Sequence, residues 1–221
     1  GHTEFKDSEL GRIPKSWEVQ PLLKLSKGRF GIVDGPFGSN LKTEHYKSKG
    51  IPVIQSGFVT RGQFYAKKYV YVDSEKFNAE IRSAVASGDI VMAKIGAQAG
   101  RCAIMPKGHP TGILAGNSLK ITTDEESLLA TYLNHLLSHL YTTGEIQILR
   151  TETAQPAISI ATLKRYKIKV PTLLEQEKIT KVLSTIDIKL KSTREKSEKL
   201  QSLKKSLMQD LLTGKVRVTV N

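Results

Sequence analysis

A chain of 221 residues with 34 Lys+Arg against 21 Asp+Glu carries a formal net charge of +13. That length suits one domain with an extension, or two small domains, and the cationic excess points to a polyanion such as nucleic acid. A lone cysteine, Cys102, rules out an internal disulfide and fits a reducing cytoplasm; no signal peptide is visible and no apolar run approaches ~18 residues.

The excess charge is spread along the chain. Residues 1–171 hold 23 Lys+Arg against 15 Asp+Glu, residues 172–213 hold nine against six, and Lys215 and Arg217 supply the rest. A generically basic soluble protein would show the same balance, so charge alone leaves both readings open.

In chain order, Leu10 to Glu18 is turn-rich and leads into an apolar segment, Val19 to Leu25. Asp34-Gly35-Pro36-Phe37-Gly38-Ser39-Asn40 is a loop, because its glycines and proline punctuate any regular element. Ile51 to Gln55 reads as a strand with Pro52 near its start. Phe64, Tyr65 and Tyr69 to Val72 suggest another, and Phe77 to Ile81 a short helical turn. Asp89 to Ile95 reads as a buried strand entering a glycine turn, Gly96-Ala97-Gln98-Ala99-Gly100, and Arg101 to Met105 returns from it as a hairpin. Thr123 and Glu126 have capping-box spacing, which predicts a helix to about Tyr141 with Leu129, Tyr132, Leu133, Leu136, Leu137 and Leu140 on its apolar face. Ile158-Ser159-Ile160 and Ile168-Lys169-Val170 look like short closing strands. The body, residues 1–171, is therefore expected to be α+β with a mixed or antiparallel sheet.

From Thr172 to Thr213 there are 42 residues without Gly, Pro or an aromatic. An uninterrupted helix of that length would span about 63 Å. Thr172 and Glu175 have capping-box spacing, Pro171 bars helix upstream, and Gly214 closes the run. Ile179, Leu183, Ile186 and Leu190 follow at coiled-coil spacing. Thr193 and Ser197 continue the register as polar members, and Leu200, Leu203, Leu207 and Leu211 resume it after one slip in phase. This predicts a long arm that meets a partner helix. An amphipathic helix lying on its own body is the plainer alternative.

Enzyme signatures are missing. There is no GxxxxGK[ST] phosphate loop, no GxGxxG, and no Asp/Asn-Pro-Pro-aromatic tetrad of an amino-methyltransferase. His135 and His139 have metal-ligand spacing on a helix but lack the HExxH glutamate and a third ligand, so they read as surface histidines. Asp89 reads as a turn residue that starts a strand. No metal or cofactor is expected.

The body does offer polar, basic loops. Ser39 and Lys42 flank the first, and Arg61 and Gln63 sit in the second. Lys94, Gln98 and Arg101 surround the glycine hairpin. Asn117 and Lys120 lie in another turn, and Arg150, Thr151 and Gln155 precede the closing strands. Arg, Lys, Asn and Gln read base edges, while Ser, Thr and Lys hold phosphates. Each alone reads equally as a solvated loop residue, but the set, in a cationic chain, points to DNA. Arg101, beside the glycine turn, is the best single candidate for a base contact.

Several segments together resemble one family. They are Ser8-Glu9-Leu10-Gly11-Arg12-Ile13-Pro14-Lys15-Ser16-Trp17, Asp34-Gly35-Pro36-Phe37-Gly38-Ser39, Gly88-Asp89-Ile90-Val91, Gln155-Pro156-Ala157-Ile158-Ser159, Pro171-Thr172-Leu173-Leu174-Glu175-Gln176, and Asp210-Leu211-Leu212-Thr213-Gly214-Lys215-Val216. In this order, over nearly the whole chain, they resemble the DNA-specificity subunit of type I restriction–modification systems. Thr172 stands where the family usually has a second proline. The resemblance implies a target-recognition domain (1–171), a conserved spacer and dimerisation helix (172–213) and a short tail (214–221). It also implies modification (methyltransferase) and restriction subunits as partners. Family members usually hold two such pairs with antiparallel spacers. This chain holds one pair, as a half-length subunit that dimerises or as a piece of a longer chain. The expected function is a non-catalytic, cytoplasmic DNA-recognition subunit that binds double-stranded DNA and a second copy of itself. A basic scaffold and an unrecognised nuclease are the rivals.

Overall fold

A computed structural model describes residues 1–151 and 155–218, apart from the side chain of Ser39. The chain divides into two compact units, Gly1–Glu177 and Lys178–Asn221. The first opens with strands β1 (Phe5–Lys6), β2 (Ile13–Pro14), β3 (Glu18–Pro21), β4 (Ile32–Asp34), β5 (Ile51–Ile54) and β6 (Tyr71–Val72). Helix α1 (Ser74–Ala79) leads to β7 (Ala84–Val85), β8 (Ile90–Ala93), β9 (Cys102–Ile104), β10 (Gly112–Leu114) and β11 (Ser118–Ile121). Then come α2 (Ala130–Thr143), α3 (Ile160–Arg165), β12 (Lys167–Val170) and α4 (Leu173–Leu212), whose first turn belongs to the first unit.

Two four-stranded sheets form the frame. One has the order β6-β5-β10-β7 and is mixed, because β10 runs parallel to β5 while the edge pairs are antiparallel. The other, β4-β11-β8-β9, is antiparallel throughout. The ribbon β3–β12 pairs Glu18 with Val170, so early and late chain meet. The body is thus α+β, as its composition of elements predicts, and the long helix follows.

The unbroken apolar run Ile90-Val91-Met92-Ala93 makes β8 an interior strand with every residue buried. Val91 and Ala93 join Ile54, Phe58, Val59, Val85, Ala103, Met105 and Leu114 in the main core. Each Val or Leu so buried contributes about 1.5–3 kcal/mol of transfer energy. Helix α2 buries Tyr132, Leu133, Leu137 and Leu140, on the apolar face that its period predicts, and stops where Gly144 takes φ 83°.

Several local expectations give way. Thr123 and Glu126 do not start α2. Asp124 makes a turn instead, its main-chain oxygen accepting from Ser127 and Leu128 N–H, and the helix begins at Ala130. Ile158-Ser159-Ile160 is not a strand: Ser159 caps α3 by accepting Thr162 N–H at 3.2 Å. Between Phe64 and Val72 only Tyr71–Val72 is strand. Phe64 and Tyr69 instead pack edge-on against Phe58, with ring centres 5.9 and 5.2 Å away.

The start of α4 is clamped within the first unit. Gln176 is fully buried. Its Nε2 donates to Ser127 O (3.0 Å) and Pro171 O (2.9 Å), and its Oε1 accepts Leu129 N–H (2.9 Å). A buried amide satisfied on both ends is a firm tie. The Glu175 carboxylate, expected to cap its own helix, accepts Trp17 Nε1–H at 2.8 Å and lies 2.7 Å from His2 Nε2.

In the second unit α4 runs on to Leu212. It closes at Gly214 (φ 72°), with Val216 N–H reaching Asp210 O at 3.0 Å. Leu183, Ile186, Leu190, Leu200, Leu203, Leu207 and Leu211 are all exposed, and Ile179 is half-buried. Among the described residues no helix is long and apolar enough to cross a membrane.

Candidate nucleic-acid interface

The β8–β9 hairpin sets the site. Beyond Ala93 the chain turns through Gly96 to Gly100 and returns. Gly100 N–H donates to Ala93 O, and Ala93 N–H to Arg101 O, both at 2.8 Å. Gly100 has φ 96°, and a Cβ there would lie 2.5 Å from Ile146 Cγ1, so only glycine fits this bend.

Neighbouring segments are knitted onto this turn. Lys94 N–H donates to Asn117 O (2.8 Å), Gly96 N–H to Pro156 O (2.9 Å), and Ile158 N–H to Lys94 O (2.8 Å). Thr151 N–H donates to Ala157 O at 2.8 Å. Arg150 Nη2 reaches Ala99 O at 2.7 Å and its Nη1 reaches Gln147 Oε1 at 3.1 Å. A Cβ on Gly62 would lie 3.7 Å from Arg101 Nη1, which brings the Arg61–Gln63 loop to the same end. Gln63, Gln98, Asn117, Thr151 and Gln155 are exposed there. Arg61 lies over the exposed Tyr65 ring at 5.1 Å.

Two lysines play another part. Lys94 Nζ is 2.6 Å from Asp34 Oδ2 and 3.8 Å from the centre of the Phe37 ring, and Arg82 Nη2 lies 3.4 Å from Asp34 Oδ1. Lys120 lies in β11 rather than in a turn, and its Nζ is 3.3 Å from Asp89 Oδ2. Asp89, only 4% exposed, also accepts Ala86 N–H and the Thr122 hydroxyl. That places the Lys120 cation at the opposite end of β8 from the hairpin, and Asp89 is a buried structural anion more than a plain turn residue. Lys42 is exposed, its Nζ 3.8 Å from Glu44 Oε1. The Ser39 side chain lies outside the described residues, as do 219–221 of the predicted tail.

Sequence reasoning passed over the aromatic partners. Arg101 Cζ stands 4.2 Å from the centre of the Tyr141 ring, and Tyr141 Oη donates to Gln98 Oε1 at 3.3 Å. Phe37, in the Gly-Pro-Phe-Gly loop, is 45% exposed beside Lys94. A large apolar residue inside a turn motif is the signal that could have marked it. Next to Arg101, burial pushes the Cys102 thiol up to about 12, against smaller lowering by a Ser138 hydrogen bond and the Arg101 charge, which keeps it protonated. His139 is exposed and His135 half-buried, and among the described residues no group of three His, Cys, Asp or Glu is placed to hold a metal ion. The hairpin end is thus rich in hydrogen-bond donors of the kinds that meet base edges and phosphates.

The chain matches the type I restriction modification DNA specificity domain over residues 37–202. It is similar to the type I restriction enzyme MjaVIII specificity subunit of Methanocaldococcus jannaschii: 29% identical over 221 residues, covering 98% of this chain and 50% of that protein. It is also similar to the putative MjaX specificity subunit of the same organism, 30% identical over 98% of this chain and 47% of that one. The chain therefore spans about half the length of the curated relatives it matches. Among solved structures, the HsdS subunit from Thermoanaerobacter tengcongensis aligns with a TM-score of 0.61 at 15% identity, over 93% of this chain and 47% of that one. A chain from a type I R-M system, solved to explain complex assembly and conformational transition, aligns at 0.64 and 16%, over 90% and 46%. At such identities the likeness is one of fold.

Proposed function

Since the chain belongs to the type I restriction–modification DNA specificity family, we propose that it is the non-catalytic specificity component of such a complex, binding double-stranded DNA in a sequence-dependent way. Residues 1–171 read one half-site of a few base pairs, and the helix from 172 to 213 pairs with a second copy and docks modification subunits. One observation carries the reading most: Arg61, Gln63, Gln98, Arg101, Asn117, Arg150, Thr151 and Gln155 converge at one end of a rigid sheet. Lys94, neutralised by Asp34, shapes that surface from within, while Lys120, paired with Asp89, belongs to the far end of β8. Ser39 and Lys42 are further candidates for phosphate contact.

The exposed stripe from Leu183 to Leu211 supports pairing of two helices. Antiparallel pairing closes with twofold symmetry, so the expected target is a split palindrome. Binding-site selection from random duplexes tests this reading. A consensus made of two inverted halves, with affinity that falls steeply as salt rises, is the expected result. Binding without any sequence preference, or to protein partners alone, would favour a basic scaffold. Cleavage with Mg²⁺, or methyl transfer from S-adenosylmethionine, by the pure chain would overturn the non-catalytic assignment.

A further inference from the structure

Arg101 differs from the other cations of the hairpin end. Lys94 is held by a carboxylate, and Arg150, whose Nε is also buried without a partner, has its two Nη groups taken up by Ala99 O and Gln147 Oε1. Among the described residues no carboxylate lies within ion-pair distance of Arg101. Its Nε is buried with no hydrogen-bond partner. A buried N–H without an acceptor costs desolvation energy. The Tyr141 ring, 4.2 Å from Cζ, supplies an attraction that offsets it. A guanidinium held on one face by a ring keeps its outer N–H edge for a planar, two-acceptor partner.

The ring is itself fixed. Tyr141 Oη donates to Gln98 Oε1 (3.3 Å), and Arg101 N–H donates to Gln98 O (3.0 Å). A Cβ on Gly100 would sit 3.5 Å from Tyr141 Cδ2, so the turn abuts the same ring. Turn, ring and guanidinium form one closed cycle. Such a cycle lowers the freedom that a long arginine would lose on binding.

Resting on the DNA-binding role of the body, we propose that Arg101 reads a guanine, its outer N–H groups donating to O6 and N7, and that Tyr141 is its positioning residue. Guanine is the base whose major-groove edge offers two acceptors side by side, the match for an arginine fork.

The test starts from the consensus that selection gives for the wild-type chain. Each guanine is replaced in turn by 7-deazaguanine, which lacks N7, or by inosine, which keeps O6 and N7. At one position of each half-site 7-deazaguanine is expected to weaken binding about tenfold or more, and inosine is not. Arg101→Lys, which keeps the charge, loses the preference at that position alone and holds its affinity for random duplex. Tyr141→Leu lowers the same preference, and Tyr141→Phe, which keeps the ring, restores most of it. Wild-type tolerance of 7-deazaguanine at every position, or full discrimination by Arg101→Ala, would overturn the guanine assignment while the body's DNA role stands. Full discrimination by Tyr141→Leu would remove Tyr141 from the proposal. No sequence preference at all would overturn the DNA-reading role together with it.

Discussion

Leucines meet opposite fates in the two units. In the first, Leu114, Leu119, Leu133 and Leu137 are wholly buried, whereas in the second Leu200, Leu203 and Leu207 are 65%, 54% and 48% exposed. Both α2 and α4 space their apolar residues by three and four, so the period alone does not separate them. What differs is the covering. Helix α2 lies on a sheet within its own unit, while the stripe of α4 is bare. The first unit draws stability from its own packing. A bare stripe draws stability from whatever covers it.

The contrast is sharpest for charges. Asp89→Ala would leave the Lys120 cation, whose side chain is 13% exposed, without its partner. A loss of about 3–5 kcal/mol is expected in urea unfolding of the chain. A variant that unfolds at the wild-type midpoint would break the view that the first unit is locked by paired interior charges.

Leu183→Asp acts on the other unit. It puts a carboxylate into the exposed stripe. Self-association measured by sedimentation should weaken by about tenfold or more, with the urea midpoint of the first unit unchanged. A wild-type chain that stays monomeric at tens of micromolar would remove the partner helix from the account.

Arg61→Ala should have a smaller effect. Arg61 is exposed and stacked on Tyr65, with its head in solvent. As a phosphate contact it would weaken cognate and random duplex about equally and flatten the salt slope by roughly one unit. Loss confined to the cognate site would promote it to a base reader.

The smallest effect at neutral pH lies in the core of the first unit. The Cys102 thiol is raised by burial from 9.0 to about 12, and Tyr132 from 10.0 to about 12. Above pH 9 the unfolded thiol gives up its proton while the folded one keeps it, so stability is intact below pH 9 and falls as pH rises toward 12. Cys102→Ala should remove the part of that fall between pH 9 and 10, before the tyrosine contributes. An unchanged alkaline slope would show that the thiol is not buried as described.

Features that depend on near neighbours were legible in the sequence. The apolar run of β8, its glycine turn and returning strand, β5, β12 and the long helix all follow from period, composition and punctuation. Features set by distant partners were not. Ile160 has strand character, but Ile158 and Ser159 bond through their N–H groups to the distant Lys94 O and Leu149 O, and the Ser159 side chain caps a helix by accepting Thr162 N–H. Lys94 and Lys120 looked like reading residues because Asp34 and Asp89 are 60 and 31 residues away in sequence. Tyr141 reads as one more face of a helix until the hairpin is folded against it. Of the loops, the Arg61, Gln98, Arg101, Asn117 and Arg150 segments meet at one end, as their shared chemistry suggests.

The backbone at Gly35 leaves no room for a side chain. A methyl group there would lie 2.0 Å from the Ala115 carbonyl oxygen, backbone against backbone, with no side chain to yield. Gly35 and Gly100 are therefore fixtures, whereas exposed positions such as Gln63, Ala97 and Asn117 have room for other side chains. A library that randomises Gln63, Ala97 and Asn117 while holding those two glycines would vary the exposed surface at little cost in folding. One that also randomises the glycines would spend most of its members on chains that never fold.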